Sequence, residues 1–184
     1  SASLARIPGV RVRAVCDIWR FQCQQAKAFF RGYGMDITTY EDYRDMLDKE
    51  DKNIDAVVVA TPDWMHCEHT CYCLRKGKHV YCEKPLVFSV DEAKKVIEAQ
   101  KKYGRVFQTG SMQRSWDVFR TAAMIVRNGF IGDVKYVDAN YGLAGQKLGG
   151  PSHPVRFWDD PANAAKEGVE NKDVDWNMWL GPAK

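Results

Sequence analysis

Asp55-Ala-Val-Val-Val-Ala-Thr-Pro-Asp63 and the later stretch Gly77-Lys-His-Val-Tyr-Cys-Glu-Lys-Pro85 decide how this chain folds. The first opens with an unbroken run of small and β-branched residues of strand length, which reads as a strand buried on both faces. The second carries His79 to Cys82, another short strand. Between them Trp64 to Lys76 has helical period and closes at Gly77. Downstream, Ser89-Val-Asp-Glu92 is a capping box: Ser89 accepts from the Glu92 amide while Glu92 reaches back. It opens a helix to Tyr103 that stops at Gly104, and Val106 to Thr109 follows as a strand. Strand, helix, strand, helix at these lengths predicts a parallel sheet with crossover helices.

Upstream, Val10 to Cys16 reads as a strand ending at Asp17, and Phe21 to Phe30 as a helix stopped near Gly32 and Gly34. Thr39, followed by Tyr40-Glu41-Asp42 and the apolar Met46 and Leu47, predicts a short capped helix. Beyond Ser111 the character changes. A helix from about Ser115 to Asn128, closed by Gly129, leads to an alternating strand, Val134 to Tyr141, of the kind that covers one face of a sheet. Residues 142–172 are rich in Gly, Pro, Asn and charge, which predicts a long loop.

The 184 residues hold one full domain but not two complete ones, and the net charge of +3 is spread among interleaved acids and bases. Nucleic acid is therefore not an expected partner, and small molecules are. No apolar run approaches the roughly 18 residues that span a bilayer, so no membrane partner is expected either. The six cysteines, Cys16, Cys23, Cys67, Cys71, Cys73 and Cys82, sit at strand and helix positions and read as reduced thiols. The compartment expected is the cytoplasm. Export of a longer parent stays open, because the start reads as mid-domain.

Four blocks in order, Ala14-Val-Cys-Asp17, Val58-Val-Ala-Thr-Pro-Asp63 with His66, Gly77 to Pro85, and Gln108-Thr-Gly-Ser-Met-Gln-Arg114, resemble the glucose-fructose oxidoreductase and inositol dehydrogenase family (Gfo/Idh/MocA). The third is the most specific, since Gly-Lys-His-Val and Glu-Lys-Pro occur together about twenty residues after Thr-Pro. The resemblance implies an α/β fold: a partial Rossmann-type doubly wound parallel sheet over residues 1–112, then the start of an α+β substrate and oligomerisation domain over 113–184. Family members open with a strand and a glycine-rich turn that should lie just before Ser1, and Ser1 to Pro8 reads as the tail of the following helix. They also carry an Asp and His pair on a helix that would lie beyond Lys184. The chain is thus expected to be a piece of a longer, homo-oligomeric enzyme and to be inactive alone.

Asp17 ends its strand where a carboxylate can accept from both adenosine ribose hydroxyls and repel a 2′-phosphate, which favours NAD over NADP. Arg20 nearby works the other way, since a guanidinium can hold that phosphate. A plain strand-end carboxylate is the alternative for Asp17. Thr61, Pro62 and Asp63 follow a buried strand at its carboxyl end, where open parallel sheets bind ligands, and the family places the dinucleotide there. His66 is a cofactor candidate from the next helix, or a polar helix-start residue without a ligand.

By resemblance, Glu83 contacts the nicotinamide-side ribose, and a cis Lys84–Pro85 peptide turns Lys84 into the cleft to hold the substrate hydroxyl. An ammonium there stabilises a developing alkoxide and relays its proton, so Lys84 is the catalytic candidate and Glu83 to Pro85 are cofactor candidates. A surface salt bridge is the bland reading of the same pair. Gly110 permits close backbone approach, Gln113 can reach the nicotinamide carboxamide and Arg114 can line the cleft. His153, Arg156, Trp158 and Trp176 are candidates for sugar contact or for packing. The string His66-Cys67-Glu68-His69-Thr70-Cys71-Tyr72-Cys73 raises a zinc site, but its spacing is unlike structural zinc sites and no metal is expected.

The expected activity is hydride transfer between a nicotinamide cofactor, NAD or else NADP, and a secondary alcohol of a sugar, sugar acid or polyol. The alternatives are an NAD-dependent redox-assisted glycosidase and a non-catalytic dinucleotide sensor. In the doubly wound order the first strand lies between the strands ending at Asp17 and Ala60, so without it each presents an open edge. The isolated chain is therefore expected to be poorly soluble or partly unfolded. A sharp, cooperative melt of that chain would overturn this.

Overall fold

The computed structural model describes residues 2–138, Asp175 and Met178. The chain divides after Gly110 into a first compact unit and a second that begins at Ser111. In the first, a single helical turn, α1 (Ala2–Ala5), precedes strand β1 (Ala14–Cys16), helix α2 (Arg20–Arg31), strand β2 (Thr38–Tyr40) and helix α3 (Tyr43–Lys49). Then come β3 (Ala56–Val59), α4 (His66–Arg75), β4 (His79–Cys82), α5 (Val90–Tyr103) and β5 (Phe107–Thr109).

The strands form two parallel sheets, β1-β2 and β3-β4-β5, and every β-to-β link within them contains a helix, as parallel pairing requires. The register sets Val57 opposite Val80 and Val59 opposite Cys82, and then Val80 opposite Phe107 and Cys82 opposite Thr109. One face of the sheet is therefore a continuous apolar surface. It packs on Met46 and Leu47 of α3 and on Cys73 and Leu74 of α4, all buried. Ala14, Cys16 and Tyr40 of the other sheet pack against the same core, so the two sheets share one interior.

Three expectations about the first unit are corrected. The run through β3 is not buried on both faces, since Ala56 is exposed and Val58 is 50% exposed: successive side chains alternate, and the covered face is the one carrying Val57 and Val59. Thr39 does not lead a helix. It lies in β2 opposite Val15, and Asp42 caps α3 by accepting from the Arg44 amide at 2.7 Å. The first strand is only Ala14–Cys16, because β2 offers just three residues to pair with it.

The capping box at Ser89 forms, with the Glu92 amide 3.2 Å from Ser89 Oγ. The returning Glu92 carboxylate takes the Phe88 amide at 2.8 Å, one residue earlier than the reciprocal pattern predicts. Gly104 ends α5 at φ +61°, a left-handed conformation that suits glycine. In the second unit, a 3-10 turn (Met112–Ser115) leads to α6 (Asp117–Arg127). The expected strand from Val134 is not formed over its described part: residues 134–138 are exposed and irregular, having no ladder partner among the described residues.

Glu50, at the C-terminal end of α3, is 4% exposed and holds three elements together. Its carboxylate accepts from Arg13 Nε at 2.9 Å, Tyr40 Oη at 3.0 Å and Asn53 Nδ2 at 2.9 Å. The Arg13 hydrogen bond, ahead of Asn53 and the other contacts, pulls its pKa from 4.5 down to about 2. A carboxylate depressed in the folded state contributes stability above its unfolded pKa and loses it as pH falls toward the folded one. Glu50→Gln is expected to lower stability at pH 7 and to flatten the stability loss between pH 4.5 and about 2, as read by denaturant melts across that range.

Candidate functional site

Every candidate in the first unit lies at or just beyond the carboxyl end of a parallel strand, where the chain leaves the ladder and its polar groups become available to a ligand. Asp17 follows β1 and is half-buried. Its amide donates to the Tyr40 carbonyl at 3.0 Å, and its Oδ1 accepts from the Trp19 amide at 2.9 Å. Burial raises its pKa and the Trp19 bond partly offsets this. Oδ2 has no hydrogen bond among the described residues, which leaves an acceptor for hydroxyl donors. Arg20 opens α2 with its Nε 2.6 Å from Glu41 Oε1, an exposed pair.

After β3, Thr61 to Asp63 turn the chain into α4 through the 3-10 turn Asp63–Met65. Thr61 Oγ1 lies 3.0 Å from His69 Nδ1, and the His69 ring tilts against Tyr43 with centroids 4.3 Å apart. Burial pushes the His69 pKa down to about 4, so this ring is neutral near pH 7. His66, by contrast, is 1% exposed, and both of its ring nitrogens are occupied by backbone carbonyls.

After β4 the chain carries Glu83, Lys84 and Pro85, with a cis Lys84–Pro85 peptide. The two charges do not pair. Glu83 Oε2 accepts from the Lys84 backbone amide at 3.2 Å, while the Lys84 side chain is exposed and has no salt bridge among the described residues. The bland reading, a surface ion pair, is thus not what forms.

Gly110, after β5, is buried beside Glu83: a Cβ added there would meet Glu83 Oε2 at 2.6 Å, its Cα at 2.9 Å and its Cδ at 3.0 Å. The glycine expected to allow a close approach does so, and what approaches is the Glu83 carboxylate. Three strand ends, a half-buried carboxylate and an exposed ammonium suit a polyhydroxylated dinucleotide.

Gln113 and Arg114 lie in the 3-10 turn of the second unit and are exposed. His153, Arg156, Trp158 and Trp176 fall outside the described residues, as does loop 142–172. All six cysteines are free, and burial pushes the Cys16, Cys67 and Cys73 thiols up to about 12, which keeps them in the thiol form near neutral pH. Among the described residues no three or more His, Cys, Asp or Glu side chains converge as metal ligands, and no helix is long and apolar enough to cross a membrane.

The family model described as an oxidoreductase family with an NAD-binding Rossmann fold matches residues 3–111. Inositol 2-dehydrogenase of Salmonella paratyphi B is 33% identical over 127 residues, 68% of this chain and 36% of that protein. The chain thus spans about a third of the length of the curated relatives it matches. The crystal structure of myo-inositol 2-dehydrogenase from Lactobacillus plantarum aligns with a TM-score of 0.64 and 37% identity, covering 71% of this chain and 37% of that one. Scyllo-inositol dehydrogenase from Lactobacillus casei, solved with bound NAD(H) and scyllo-inositol, aligns with a TM-score of 0.63 and 28% identity over 72% of this chain and 38% of that one.

Gly110→Ala is expected to displace Glu83, since the Cβ would press on its backbone as well as its carboxylate, at a stability cost of about 1–3 kcal/mol. NAD+ affinity of the full-length protein should fall with it. Unchanged affinity, measured by calorimetry, would show that the Glu83 position does not matter to the dinucleotide.

Proposed function

The chain belongs to the Gfo/Idh/MocA oxidoreductase family, and from that premise we propose that the protein carrying it is an NAD-dependent dehydrogenase of polyols, with cyclitols such as inositol, and sugars, as substrates. One observation carries this reading: Lys84, just after β4, leaves its ammonium exposed and without a salt bridge among the described residues, while the neighbouring Glu83 carboxylate lies against Gly110. An uncommitted cation at a strand end of this fold is suited to a substrate oxygen. The inositol dehydrogenases among the relatives support the substrate class.

The bound nicotinamide supplies the hydride acceptor and donor. Lys84 would hold the substrate hydroxyl and stabilise the alkoxide that forms as its proton passes to a base, and the carbon bearing that oxygen would then give its hydride to the nicotinamide. Glu83 would accept from a ribose hydroxyl, and the turn Thr61 to Asp63 would lie against the dinucleotide. At the adenosine end Asp17 would accept from ribose hydroxyls. Glu41 draws Arg20 into an ion pair and adds a second carboxylate there, which favours NAD over a cofactor bearing a 2′-phosphate.

In the full-length protein, Lys84→Ala is expected to lower kcat about a hundredfold or more while NAD+ affinity changes by less than about threefold. Turnover should release one NADH per polyol oxidised. Unchanged kcat would remove Lys84 from the chemistry, and sugar release without net NADH would replace the dehydrogenase with a redox-assisted glycosidase.

A further inference from the structure

His66 is the first residue of α4 and has 1% of its surface exposed. Its Nε2 lies 2.8 Å from the Thr61 carbonyl oxygen and its Nδ1 lies 2.6 Å from the Pro85 carbonyl oxygen. These two carbonyls belong to the turns that follow neighbouring strands, β3 and β4. The ladder between those strands ends with the Glu83 amide donating to the Val59 carbonyl at 2.9 Å. Beyond that bond the chains diverge, one into α4 and the other through Pro85, and no backbone pairing can join them. The imidazole spans the gap.

We propose that His66 is a positioning residue that staples the Thr61 turn to the Lys84–Pro85 turn by donating a hydrogen bond from each ring nitrogen. Carbonyl oxygens only accept, so both contacts together take two N–H groups, and of the forms of histidine only the imidazolium has two. A neutral ring would set a lone pair against a carbonyl oxygen inside the protein. Removing the ring frees the Pro85 carbonyl, one residue from the lysine that must be held within a fraction of an ångström of its substrate. His66 therefore acts through Lys84, and in this respect the inference rests on the proposed function. The Phe, Gln or Asn side chains cannot replace it, because none has two donors pointing in opposed directions.

Two measurements on the full-length protein test this. With imidazole-15N histidine at pH 7, the His66 ring should show two protonated nitrogens; one bare nitrogen would overturn the staple. In kinetics, His66→Gln should lower kcat about tenfold in the native background and less than about twofold in the Lys84→Ala background, since two residues acting as one unit are not additive. A tenfold loss in both backgrounds would show that His66 does not act through Lys84, and would overturn the proposal. The ring spectrum decides the staple even where no polyol is turned over, and that absence of turnover would count against the proposed function alone.

Discussion

Two backbone hydrogen bonds, from the Glu83 amide to the Val59 carbonyl and from the Gly110 amide to the Cys82 carbonyl at 2.7 Å, hold the ends of three parallel strands level. Most of the candidate site depends on this. Parallel pairing sends every strand out of the sheet on the same side, so the residues after Val59, Cys82 and Thr109 emerge beside one another although they are far apart in the chain. The core on the covered face keeps the strands in that register. A slip by one residue would turn Val59, Val80 and Cys82 outward and remove the apolar surface that α3 and α4 cover.

Within that frame the charges are divided by geometry. Glu83 is folded onto its own chain, in a space that exists only because residue 110 has no side chain, while the Lys84 side chain is exposed. Two opposite charges adjacent in sequence would ordinarily be expected to cancel. Here the turn separates them. His66 and His69, three residues apart on one helix, are likewise set apart by surroundings: one ring spans two carbonyls, and the other is held neutral beside Thr61 and Tyr43.

Structural polar groups sit away from these strand ends. Glu50 binds the approaches to β1 and β2 through Arg13 and Tyr40, and the buried Lys78 is anchored to Asp51. Buried charges of this kind need partners, and each has them. Glu50 is held by three partners, whereas Lys84 has no salt bridge among the described residues.

The sequence by itself determined the alternation of strands and helices from Asp55 to Thr109, the caps at Ser89 and Gly104, and the family, because apolar runs, turn glycines and the Gly-Lys-His-Val with Glu-Lys-Pro pairing are local signals. It misjudged β2, since three residues with a threonine among them look as much like a helix cap as a strand. The strand expected from Val134 is irregular over residues 134–138, which pair with nothing among the described residues, and its remainder lies outside them. The tertiary structure alone decided which face of β3 is covered, that Glu83 and Lys84 do not pair, and that Gly110 makes room for Glu83. It also decided that the two ring nitrogens of His66 face carbonyls of residues 61 and 85. Those partners are brought together only when β3 and β4 lie side by side, and a hydrogen bond between groups so distant in the chain leaves no periodic trace in the order of residues.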